Sequence, residues 1–139
     1  GAVTVFFACV PKEEAPDEAD LSIRVLTGPE AVSGSTRMKA GTATKLVLNA
    51  ISTLVMLRLG KVHGNLMIDV DAGANAKLVE RATTIVQRVT GCDRDRATEL
   101  LDEAGGSAKT ACCMALTNLS ADAARARLET SGDSLRGAL

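Results

Sequence analysis

Aromatic residues are nearly missing from this 139-residue chain: Phe6 and Phe7 are the only two, and Trp and Tyr are absent. A single-strand nucleic-acid binder needs flat rings on which bases stack, set in a basic groove. With 16 Lys and Arg against 17 Asp and Glu, the formal net charge is −1, so no long-range field draws the chain to nucleic acid or anionic lipid. Neither partner is expected. Cysteines are few (Cys9, Cys92, Cys112 and Cys113) and none forms a C-x-x-C pair. No secretory signal is visible, so reduced structural thiols in a cytoplasmic protein are expected, without metal or redox roles. The lone histidine, His63, has no neighbouring ligands and points to neither a metal site nor a triad. No apolar stretch is expected to be long and uninterrupted enough to span a bilayer.

What is present reads as α/β. Gly1 to Val10 is almost wholly apolar, the pattern of a strand covered on both faces in a parallel sheet. Pro11 ends it. Lys12 to Asp20, with Glu13, Glu14, Asp17, Glu18 and Asp20, reads as an exposed loop or a helical turn. Leu21 to Leu26 alternates as a second strand, closed by Gly28-Pro29. From Thr36 to Leu59 the spacing turns helical, with Leu46, Val47, Ala50, Ile51, Leu54 and Val55 covering most of the circumference, which implies a sandwiched helix. Gly60 stops it. The apolar stretch Leu66 to Val70 has no assignable type. Two strands make a poor sheet, and the chain opens on Gly1 directly before the first of them, so upstream residues completing a doubly wound sheet are expected.

Residues 71–139 read as a separate, small all-helical part, after an α/β part over residues 1–70. Asn75, Asp93, Ser107 and Ser120 are N-caps, Gly91 and Gly105-Gly106 are stops, and a last turn spans Asp133 to Leu139.

The chemistry is concentrated in GPEAVSGSTRMKAGTATK, from Gly28 to Lys45. It gathers small hydroxylated residues, glycines, the cations Arg37, Lys39 and Lys45, and one carboxylate, Glu30. A helix starts inside it, and the free N–H groups and positive dipole end of a helix suit an anion such as phosphate. Thr42, Lys45, Asn49 and Ser52 fall on one stripe of the apolar helix, which should face a ligand pocket or a wet subunit interface. Caps and solvated lysines are the plainer reading of the same residues. The spacing does not fit the Walker pattern, which disfavours nucleotide binding.

GPEAVSGSTRMKAGTATKLVLN, then GKVHGNLMIDV, NAKLVERA and TGCDRDRA, together resemble the C-terminal half of the N-acetylmuramic acid 6-phosphate etherase family, to which the glucokinase regulatory protein is related. The resemblance covers essentially the whole chain, departing at Asp71-Ala72-Gly73-Ala74, where a proline-containing stretch is expected. It implies a sugar isomerase (SIS) fold: a parallel-sheet sandwich that binds phosphosugars, followed by a small helical domain, in a homodimer that needs no metal or organic cofactor. The implied reaction removes D-lactate from N-acetylmuramic acid 6-phosphate by elimination, then adds water. The family's catalytic glutamates and most of its phosphate loops lie in the N-terminal half and have no counterpart here, so the chain alone is not expected to catalyse. Among the residues present, Lys45 matches a phosphate-reaching lysine of the regulatory protein. Glu30, Ser35 and Thr36 match motif residues near the pocket, Glu30 being either a general base or a structural partner of Arg37 or of backbone groups. A non-catalytic sugar-phosphate sensor is the alternative, and a helical interaction module the third reading.

Overall fold

The computed structural model describes the backbone of residues 1–139 and every side chain except that of Ala74. It divides into two compact units, Gly1–Leu54 and Val55–Leu139. The fold is α/β and mostly helical, with six α-helices among the described residues.

In the first unit, β1 (Val5–Ala8) and β2 (Leu21–Arg24) pair in parallel, Val5 opposite Leu21 and Ala8 opposite Arg24. The connection through residues 9–20, about a dozen residues, is near the shortest a parallel pair allows. Side chains pin both of its ends. Asp20 accepts from the Thr4 N–H and hydroxyl, both at 2.8 Å. Arg24 ion-pairs with Asp17, donates to the Ala15 carbonyl at 2.8 Å, and lies over the Phe6 ring 4.8 Å from its centroid. That much of the acidic loop is therefore architectural. Neither strand has a third neighbour among the described residues, and β1 is only half-buried, so the two-face cover expected of Gly1 to Val10 is not provided within this chain.

The long helix α1 runs Lys39–Arg58. None of its residues is buried, and Leu46, Leu48 and Leu54 are more than half exposed, so the described residues do not supply the cover expected of a sandwiched helix. The apolar positions cover most of the circumference, and residues 51–59 are all exposed. One expectation is corrected, that no stretch is long and apolar enough to span a bilayer. By length and composition α1 is long and apolar enough to cross a membrane, with a mean hydropathy of 1.4. The run from Leu46 to Leu57 outweighs Lys45 and the small polar residues in that average.

The second unit opens with a hairpin in the stretch the sequence left unassigned. β3 (Val62–His63) and β4 (Leu66–Met67) pair antiparallel around Gly64, whose φ is +59°. Five helices follow: α2 (Ala76–Thr90), α3 (Arg94–Glu103), α4 (Ala108–Thr117), α5 (Ala121–Thr130) and α6 (Leu135–Ala138). Their caps are those read from the sequence. The Asn75 side chain accepts from the Leu78 N–H at 3.0 Å and Asp93 from that of Arg96 at 2.8 Å. Ser107 and Ser120 cap α4 and α5, and Gly91 adopts the left-handed conformation just past α2. The helices close over Ile68, Val86, Cys112, Cys113 and Leu135, all at most 1% exposed. Alanines at 82, 97, 108, 111 and 124, each fully buried, let the helix axes approach closely.

An ion cluster locks this core at one end. Lys109, only 3% exposed, reaches Asp69 at 2.9 Å and Asp133 at 2.6 Å, and donates to the Asp133 carbonyl at 3.1 Å. Lys61 adds a contact to Asp69 at 2.5 Å. Burial alone would push the Asp69 carboxyl up, but hydrogen bonds and charge from Lys61 and Lys109 more than offset it and hold the group below its usual value.

Candidate functional site

In the first unit, the chain leaves the C-terminal ends of β1 and β2 and encloses an open recess of about 400 Å³. Its walls include Cys9, Val10 and Glu14 after β1, and Leu26, Gly28 and Pro29 after β2. This is where open α/β sheets take their ligands, because the loops that vary are gathered at that edge while the strands hold them in place. None of Glu30, Ser35, Thr36 and Lys45 lines the recess itself.

Glu30 lies two residues beyond Gly28, and its carboxylate turns onto the start of α1. One oxygen accepts from the Lys39 N–H and the other from the Ala40 N–H, each at 3.0 Å. Of the two structural partners open to Glu30, it takes backbone groups. The Ala40 and Lys39 N–H groups hold its carboxyl below the usual glutamate value, since both favour the charged form. A phosphate approaching the first turn of α1 would have to displace Glu30, because the same donors serve either anion. The Lys39 ammonium donates to the Pro29 carbonyl at 2.8 Å, so the loop closes on itself from both sides.

Ser35 is half-buried, and its N–H donates to the Val32 carbonyl at 3.0 Å. Thr36 is exposed, and its carbonyl accepts from the Gly41 N–H at 2.8 Å. A Cβ at Gly41 would come within 3.2 Å of that oxygen, which explains a glycine inside the first turn. Lys45 stands one turn further along α1, exposed. Among the described residues neither Lys45 nor Arg37 is in an ion pair. The polar stripe Thr42, Lys45, Asn49 and Ser52 is exposed along its length, with Ser52 donating to the Asn49 carbonyl at 3.1 Å.

Sequence reasoning missed the Arg24–Asp17 clip and the Lys109 cluster. Both join residues well separated in the chain, so no local spacing announces them. His63 is half-buried in β3.

A parallel strand pair opening onto a recess, followed by a hydroxyl-rich loop that an acid ties to a helix start, is an arrangement at which open α/β sheets take ligands. No family model matches the chain. Over all 139 residues it is 55% identical to an N-acetylmuramic acid 6-phosphate etherase of Synechococcus sp. (strain CC9605), spanning 44% of that protein. It is 50% identical over 139 residues to the etherase of Synechocystis sp. (strain ATCC 27184 / PCC 6803 / Kazusa), spanning 45% of it. It is also 56% identical over 114 residues to that of Thermosynechococcus vestitus (strain NIES-2133 / IAM M-273 / BP-1), spanning 37% of it. The chain belongs to the N-acetylmuramic acid 6-phosphate etherase family and matches the C-terminal half of its members. It spans less than half the length of these curated relatives.

Proposed function

We propose that this chain is the C-terminal part of a lyase that cleaves the D-lactyl ether of N-acetylmuramic acid 6-phosphate, giving N-acetylglucosamine 6-phosphate and D-lactate. The observation that carries this is the end-to-end identity with proteins named for that activity. In this reading residues 1–70 form part of an SIS-type phosphosugar domain and residues 71–139 a helical domain packed on its own core. The loop from Gly28 to Lys45 forms one wall of the sugar-phosphate pocket. Lys45 meets the phosphate as a point charge, with Ser35 and Thr36 beside it and Glu30 fixing the loop to α1.

Proton abstraction beside a carbonyl needs a carboxylate whose basicity is matched to the task. Glu30 is tied up by two backbone N–H groups and held in its ionised form, which makes it a weak base and a good anchor. The catalytic carboxylates therefore come from outside this chain, and the chain alone is inactive. The exposed apolar surface of α1 is where the rest of the protein packs, in the same polypeptide or in a homodimer partner. The same observation on Glu30 supports the second reading, a non-catalytic sugar-phosphate sensor. We place the protein in the cytoplasm, without metal or organic cofactor.

Two measurements test this. The 139-residue chain alone should release no D-lactate from N-acetylmuramic acid 6-phosphate at any concentration, and dose-dependent release would overturn the division of labour. In the full-length protein, Lys45→Met should weaken phosphosugar binding while leaving the fold intact. Unchanged affinity would refute the role given to Lys45.

A further inference from the structure

The second unit carries a groove that the phosphosugar reading does not use. It measures about 490 Å³ and lies between the β3–β4 hairpin and one face of α2. Lys77, Arg81 and Arg88 line it at helical intervals of four and seven residues, which places them on a single stripe roughly 16 Å long. All three are exposed, and among the described residues none is in an ion pair. The carboxylate that lines the groove, Glu80, is occupied: two nitrogens of Arg94 on α3 donate to it at 2.9 and 2.5 Å. Leu66, Met67 and Ile85 give the same groove an apolar floor.

The opposite pattern stands in the first unit. Between β1 and β2, residues 12–20 carry five acids against one lysine. Two of those acids are engaged internally, Asp17 by Arg24 and the Ser22 hydroxyl, Asp20 by Thr4. These contacts hold the segment in place, so docking it costs less ordering than docking a loose loop. Glu13, Glu14 and Glu18 are exposed and in no ion pair among the described residues, with the exposed Pro16 between them in the chain. An apolar residue flanked by acids is the complement of an apolar floor flanked by cations. Glu13 and Glu18 are at most about 17 Å apart along the chain, so with the reach of their side chains they can follow the stripe.

We propose that the α2 groove of one copy of this chain receives residues 12–20 of a second copy, with Glu13, Glu14 and Glu18 meeting Lys77, Arg81 and Arg88 around Pro16. The arginine forks take carboxylates bidentately and Lys77 adds a point charge. Exposed charge pairs set register and encounter rate more than affinity, and a single groove is small beside a lasting interface. The contact is therefore weak and falls off with salt. It uses neither the Gly28–Lys45 loop nor the apolar surface of α1, and it does not depend on the phosphosugar reading.

The test is carbodiimide cross-linking of the 139-residue chain, prepared as an equal mixture of isotope-labelled and unlabelled protein. The reagent joins a carboxylate to an amine only where the two already touch. Peptides linking Lys77 to Glu13, Glu14 or Glu18 are expected, with mixed-isotope pairs as common as same-isotope pairs together. Arg81→Glu combined with Arg88→Glu leaves Lys77 in place and should lower the yield of these links about tenfold or more. Mixing that variant with a second one, Glu13→Lys combined with Glu18→Lys, should restore association in sedimentation, whereas each alone should sediment as the smaller species. The proposal is overturned if no Lys77 link to the segment forms, or if every link is a same-isotope pair, which would place the segment in the groove of its own copy. It is equally overturned if the double arginine variant links as the wild type does. Arg81→Gln with Arg88→Gln repeats that arm should charge reversal disturb the fold.

Discussion

Replacing Lys109 by Met probes the ion cluster that closes the helical unit. The lysine side chain is 4% exposed, whereas its partners Asp69 and Asp133 are 36% and 52% exposed. Removing the cation from a fully buried pair costs about 3–5 kcal/mol, because an uncompensated charge is left in the interior. Here both stranded carboxylates can recover water, so the cost falls to about 2 kcal/mol, between that figure and the ~1 kcal/mol ceiling of exposed pairs. For a unit of this size that lowers Tm by roughly 8–16 °C. Lys61→Met is the internal control. Lys61 is 32% exposed and meets the same two aspartates, and its loss should cost about 1 kcal/mol or less.

The pH dependence fixes the sign. Asp69 is held below its usual value in the fold, so its contribution is fully present above the unfolded carboxylate value and is lost as pH falls through the depressed one. Urea unfolding at pH 7 should show Lys109→Met well below wild type, and the gap should shrink as pH drops towards 3. If Lys61→Met proves as damaging as Lys109→Met, or if the gap is independent of pH, burial of the lysine is not what gives the cluster its strength.

Four further outcomes follow from single residues. Gly60 has a φ of +69°, and a Cβ there would lie 2.4 Å from the Asp133 carbonyl oxygen, so Gly60→Ala should cost about 2 kcal/mol or more in urea unfolding. Gly91→Ala, with φ +77° and nothing within 4 Å of the added atom, should cost only about 1 kcal/mol. Glu30→Ala should fray the first turn of α1, seen as faster hydrogen exchange at Lys39 and Ala40. In the wild type the same fraying should set in only as pH falls through the lowered Glu30 value. Burial pushes the Cys112 thiol up to about 12, so in the folded chain iodoacetamide should modify the half-buried Cys9 and Cys92 well ahead of Cys112, a difference that urea should erase.

The helical unit was legible in the sequence because its signals are local. Asn75, Asp93, Ser107 and Ser120 each satisfy N–H groups three residues on, and Gly91 takes the conformation only glycine adopts without strain. The hairpin was not legible, since two-residue strands around Gly64 are too short to show an alternation. In the candidate site, the sequence pointed to the loop and left Glu30 open between a general base and a partner of Arg37 or of backbone groups; the Lys39 and Ala40 N–H groups decide it only in three dimensions. It could not show that the recess forms from Cys9, Glu14 and Leu26, because those residues meet only once β1 and β2 pair.

The exposure of α1 has a different origin, and hydropathy alone reads it ambiguously. Averaged over the helix, Leu46 to Leu57 satisfy a lipid and a protein interior equally well. The distinction lies in how the polar residues are placed. Lys45 is less than two turns from the helix midpoint, and a lysine near the bilayer centre costs about 2.5–3.5 kcal/mol on insertion scales. Thr42, Lys45, Asn49 and Ser52 also share one face, whereas a helix surrounded by lipid gains nothing by keeping a continuous polar stripe. A helix wedged between protein layers does gain: its apolar faces are covered by neighbouring elements while the stripe stays against a hydrated pocket or interface. The stripe therefore favours a protein cover for α1 over a lipid one, and it leaves Lys45 on the one face such a cover would keep wet.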